Sequence, residues 1–165
     1  VYPLDLRHDI ANILIEMAIL LKRRKENVHS IRALEEARDI KIILQMNMQM
    51  QMDHRNTNDD DAQTQTRIDT DTQMKDQNQE IEMIESLLGS SYEKIGEYNK
   101  AYACYQRVLT LRNILFGTES IQVANLYASM SNLHRKAKDF GKSLSWNKKA
   151  IALYEYLTTT SDVKM

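Results

Sequence analysis

Leu88-Gly89-x-x-Tyr92-x-x-x-Gly96-x-Tyr98-x-x-Ala101-x-x-x-Tyr105-x-x-Val108 is the stretch on which the reading of this 165-residue chain turns. It returns 42 residues later as Met130-Ser131-x-x-His134-x-x-x-Lys138-x-Phe140-x-x-Ser143-x-x-x-Asn147-x-x-Ala150. Small residues fall at Gly89 and Ser131, and again at Ala101 and Ser143. A repeat period in this range signals stacked helical hairpins, each too small to bury its apolar face alone. Gly96 marks the turn inside the first hairpin. Phe116-Gly117-Thr118 marks the break before the second, with Gly117 suited to a left-handed stop and Thr118 to a cap.

A fainter copy lies upstream. A shift of 113 residues sets Ile10-Ala11-Asn12 on Val123-Ala124-Asn125, Met17-Ala18 on Met130-Ser131, Ser30 on Ser143 and Ala37 on Ala150. From Ala18 to Gly89 is 71 residues, 29 more than the period and close to the 28 residues of a polar insert at 53–80. The insert holds three apolar side chains (Ala62, Ile68, Met74) and a net charge of −5. So little apolar surface predicts a disordered acidic loop. Helices are expected near 7–24, 28–50, 81–95, 98–115, 119–137 and 140–158.

Composition agrees with helix, having one proline and four glycines. A net charge of −1 supplies no field that would recruit nucleic acid. Ile10 to Leu21 is broken by Asn12 and Glu16, so it reads as a buried amphipathic helix and not a membrane span. Asp5, Arg7, His8 and Asp9 before that stretch argue against a secretory leader. The single cysteine, Cys104, forms no internal disulfide and fits a reducing, cytoplasmic setting.

The Leu-Gly-x-x-Tyr, Gly-x-Tyr-x-x-Ala pattern resembles the tetratricopeptide repeat. Its longer spacing, with Leu111-Arg112-x-x-Leu115-Phe116-Gly117 and then Val123-Ala124-Asn125-Leu126, resembles the variant of kinesin light chains. The resemblance implies an all-α, right-handed superhelix of three antiparallel helix pairs: a degenerate first pair at 7–52, the acidic loop at 53–80, a second pair at 81–117, a third at 118–158 and a tail at 159–165. Gly89 and Ala101 would sit at a helix crossing, with Tyr92, Tyr98 and Tyr105 filling around it. Departures occur: Asn147 stands where an aromatic belongs, and Lys25 and Asn27 replace a glycine and an aromatic. A repeat of this length also occurs in HEAT and armadillo arrays, against which the Gly89, Tyr92, Ala101, Tyr105 set argues.

The resemblance further implies a noncatalytic adaptor holding a peptide on the face lined by the first helix of each pair. The expected peptide-binding residues are Asn12, Lys22, Ser90, Lys94, Asn125, Asn132, Arg135 and Lys136, flanked by Ile15, Ile19, Arg23, Met83, Ser86, Glu93 and Ala128. Asparagine amides can donate to and accept from a peptide backbone, and Arg135 or Lys136 can meet a carboxylate. An alternative is the regulatory repeat portion of a larger enzyme or signalling protein. No catalytic residue, cofactor or metal is expected. Met46, Met48, Met50 and Met52 could offer thioethers to Cu(I), but read first as an extension of the second helix. Asp69-x-Asp71-x-Gln73 with Glu80 imitates a calcium loop, yet Met74 stands where the turn needs glycine. Lys22-Arg23-Arg24-Lys25 reads as cations at a helix end. The expected partner is a protein or peptide, not nucleic acid or membrane. Trp146, Tyr154 and Tyr156 also suggest neighbouring repeats, or self-association through the last helix.

Overall fold

The computed structural model describes residues 4–55 and 63–162. Its six α-helices are α1 (Leu4–Arg23), α2 (Asn27–Arg55), α3 (Gln63–Lys94), α4 (Tyr98–Phe116), α5 (Ile121–Lys136) and α6 (Phe140–Asp162), with no strand among the described residues. The chain divides within α3 into two compact units, Val1–Ile84 and Glu85–Met165.

The same turn closes three hairpins. Glu26 N–H donates to Leu21 O, Glu97 N–H to Tyr92 O and Asp139 N–H to His134 O, each across five residues. The residue before each donor is left-handed: Lys25 at φ 66°, Gly96 at 82° and Lys138 at 61°. This is the Schellman closure, which uses carbonyls that a helix end leaves unpaired. Only one of the three carries glycine. The closure therefore outweighs the ~1 kcal/mol that a side chain costs in this conformation.

The crossings repeat as well. Ser30 Oγ donates to Ala18 O at 2.8 Å, and Ser131 Oγ donates to Ser143 O at 2.8 Å, both across twelve residues. Gly89 and Ala101 occupy the corresponding places, and the Tyr105 ring lies against the bare Gly89 backbone. Small residues allow close helix approach, and the serines use their hydroxyls to satisfy a nearby carbonyl.

In the first unit, α1 and α2 pack through Ala11, Ile15 and Ala18 with Ala33, Leu34 and Ala37. The expectation of one buried amphipathic helix is only half met, because α1 is apolar on two faces. Ile13, Met17 and Leu20 stay 63%, 44% and 57% exposed.

Helix also extends where a loop was expected. α2 reaches Arg55 and α3 begins at Gln63, while residues 56–62 lie outside the described set. Residues 53–80 contain no glycine or proline, and Gln, Lys, Glu and Met favour helix without burial. The last turns are tied to α2: Gln45 Nε2 donates to Asn78 Oδ1 at 2.9 Å, and Lys41 Nζ to Glu80 Oε2 at 2.8 Å. The Met46–Met52 tract therefore lies on α2, and the Asp69–Glu80 run is helix and not a calcium loop. Ser120, not Thr118, caps α5, taking the Val123 N–H on its hydroxyl at 3.4 Å.

In the second unit, Leu88, Ala101, Val108, Val123, Met130, Leu133 and Ala150 form the core and hold the end of α3 with α4, α5 and α6.

Candidate functional site

Within the second unit, the end of α3 and α5 are the first helices of successive pairs. They meet at Glu93, whose Oε1 takes Lys136 Nζ at 2.7 Å while its Oε2 takes the Tyr105 hydroxyl at 2.9 Å. The Glu93 side chain is 12% exposed. Burial first, and then the Glu93 carboxylate, push the Tyr105 phenol far above its ordinary range. One acid thus fixes both a core tyrosine and a surface lysine.

Asn125, Asn132 and Lys136 follow at helical spacing on the exposed side of α5. Arg135 donates to Asn132 Oδ1 at 2.6 Å, which leaves the Asn132 amide donors directed elsewhere. The Tyr154 hydroxyl donates to Asn125 Oδ1 at 2.6 Å. Ser90 is half-buried and donates to Leu87 O at 2.9 Å, and Lys94 is exposed. Lys94, Arg135 and Lys136 against Glu93 make this a polar, net cationic face.

Six of the eight expected residues lie in this unit. The other two belong to α1 in the first unit, where Asn12 Oδ1 accepts Lys41 Nζ at 2.9 Å and Lys22 is half-buried.

Sequence reading missed two buried ionic centres. Lys41 is 3% exposed and uses all three ammonium protons, on Glu80, on Asn12 and on His8 Nδ1 at 3.2 Å. Glu85, with a side chain 2% exposed, is held by Arg107 through two bonds of 2.7 and 2.9 Å. These bonds hold the Arg107 guanidinium more firmly protonated than usual, against the opposing effect of burial. The available signal was a charge inside an apolar run: Ile40-Lys41-Ile42-Ile43-Leu44 and Ile84-Glu85-Ser86-Leu87-Leu88.

His134 takes the place of Tyr92 in the repeat and is 8% exposed. Its ring meets Tyr102 edge-on at 4.9 Å, beside a cavity of 280 Å³ lined by Tyr98, Asn99, Asp139 and Lys142. Burial lowers its proton affinity, opposed by Asp139 at 4.0 Å from Nδ1 and aided by Lys142. A base depressed in the folded state is charged more readily when unfolded. Stability is therefore retained above the ordinary pKa of 6.5 and lost as pH falls below it. Thermal melts at about pH 5 and about pH 7.5 should show His134→Phe narrowing the gap seen in the parent. An unchanged gap would exclude His134 as its source.

Trp146 packs 5.5 Å from Tyr127 with Lys149 over its face at 4.2 Å, and Tyr156 donates to Glu119 at 2.8 Å. With Tyr154 on Asn125, all three of Trp146, Tyr154 and Tyr156 have partners inside the chain, although Tyr156 stays 44% exposed. Phe140, Leu144 and Ile151 are exposed as well. Among the described residues, no three His, Cys, Asp or Glu side chains cluster to hold a metal ion, and no helix is long and apolar enough to cross a membrane.

Residues 80–155 match the family model of the tetratricopeptide repeat. No curated protein matches the chain. Among solved structures, the chain is similar to BtubC (BKLC) from P. vanneervenii, at 17% identity and a TM-score of 0.43, over 96% of this chain and 59% of that one. The chain therefore spans about three-fifths of that protein's length. Across the matched segment lie two like hairpins, each with a small-residue crossing and a Schellman turn, so residues 80–155 are similar to tetratricopeptide repeats.

Proposed function

We propose that the second unit is a noncatalytic adaptor surface that holds an extended acidic peptide against α5 and the end of α3. Tetratricopeptide repeats generally mediate protein–protein interaction. The observation carrying the finer reading is the Glu93–Lys136 bridge, which fixes the two first helices while Lys94, Asn132 and Arg135 remain at the surface. Asn132 supplies backbone hydrogen bonding, and Arg135 and Lys94 supply charge for carboxylates. The kinesin light chain-like variant is supported by the 42-residue unit and by Arg112, which donates to the Gln122 carbonyl at 2.8 Å across the turn between pairs. Cys104 is buried as a thiol and forms no disulfide, which favours a cytoplasmic setting.

Calorimetric titration with Asp/Glu-rich peptides tests this. Arg135→Glu should weaken binding about ten-fold, with a steep salt dependence and an unchanged melt. Undiminished affinity would refute the assignment of this face.

A further inference from the structure

α1 carries a second apolar face that its hairpin does not use. Leu6, Ile10, Ile13, Met17 and Leu20 are spaced four, three, four and three residues apart, the heptad rhythm of a helix that packs along another helix. At 100° per residue they centre roughly 140° from the face of Ala11, Ile15 and Ala18 buried against α2. Leu6, Ile13, Met17 and Leu20 are 44% to 63% exposed and Ile10 is half-buried. Ordinary surface helices are apolar on one stripe only, so two stripes imply two neighbours.

We propose that α1 pairs with α1 of a second copy of this chain, antiparallel, as the seam of a two-fold dimer. The flanking charges select both partner and direction. In the antiparallel register, Ile10 meets the other copy's Leu20 and Ile13 meets its Met17, each twice, giving four apolar layers about the two-fold axis. Asp9 on one copy then lies beside Arg23 on the other, again twice, and all four of these charges are exposed. A parallel pairing would set Asp9 and Glu16 beside Leu14 and Leu21 and form no ion pair. One contact opposes the arrangement: Glu16 faces its own copy near the axis.

Sedimentation equilibrium of the full chain tests the seam. The expected result is a reversible dimer with a dissociation constant in the roughly micromolar range. Ile13→Glu places a charge in two layers and should raise that constant at least about a hundred-fold. Far-UV circular dichroism should stay unchanged, because this side chain touches little of its own hairpin. If that variant loses helix, the charge set decides alone. Asp9→Arg or Arg23→Asp should each weaken the dimer about five-fold, the double exchange should restore it, and Glu16→Gln should tighten it. A chain that stays monomeric at about 100 μM overturns the proposal and leaves the seam to a different helix, such as one from a preceding segment or another protein. A dimer indifferent to Ile13→Glu, or to all the charge exchanges, overturns it as well.

Discussion

Gly89→Ala is expected to destabilise the second unit by about 1–2 kcal/mol, although alanine is the better helix former. A Cβ at this position would lie 2.5 Å from Tyr105 Cε1 and 2.8 Å from Cδ1. The ring is 7% exposed, and its hydroxyl is bonded to Glu93, so it cannot swing aside without losing that bond. Overpacking of this kind costs ~1–3 kcal/mol or more, while the gain in helix propensity is only ~1 kcal/mol. The clash therefore outweighs the propensity. Gly141→Ala is the control: its nearest neighbour beyond the local backbone is Asp139 Oδ1 at 3.9 Å. There the propensity term acts alone, and a gain of about 0.5 kcal/mol is expected. Chemical denaturation of both variants checks the pair. Equal stability of Gly89→Ala and the parent would rule out close packing at this crossing.

Arg107→Met should cost about 3 kcal/mol, the larger of the two effects, because it leaves the Glu85 carboxylate buried without its partner. The guanidinium is about half exposed, so water that enters its place keeps the loss at the lower end of the range. Glu85→Met should cost less, because the stranded Arg107 can turn to solvent. Glu85→Met with Arg107→Met should recover most of the parental stability, since an apolar pair of similar volume removes both desolvation terms. A double variant no better than Arg107→Met would show that the pair acts through something other than buried charge.

The fold was legible because its determinants are local and periodic. Gly89, Ala101, Ser131 and Ser143 announce their crossings by size alone. The three turns were less plain. Lys25 looked like a departure from the pattern, yet its backbone adopts the same left-handed position as Gly96, because hydrogen bonding decides that conformation and a side chain only taxes it. The polar stretch from Gln63 was read as disordered for want of apolar surface. Its helix rests on residue propensity and on Lys41 and Gln45, which lie far away in the sequence and gave no sign of reaching it.

The candidate binding face was legible only as a list. Helical spacing placed Asn125, Asn132 and Lys136 on one side of α5, but nothing local tied Lys136 to Glu93, 43 residues away. Outside the polar stretch 53–80, sequence by itself determined the helices, their pairing and the small-residue contacts between partners, since each depends on periodicity and side-chain volume within one hairpin. Tertiary structure alone decided which charges are buried, which polar residues are occupied and which of α1's two apolar faces stays open. Those outcomes depend on what covers a side chain, and burial is a property of neighbours that linear spacing does not encode.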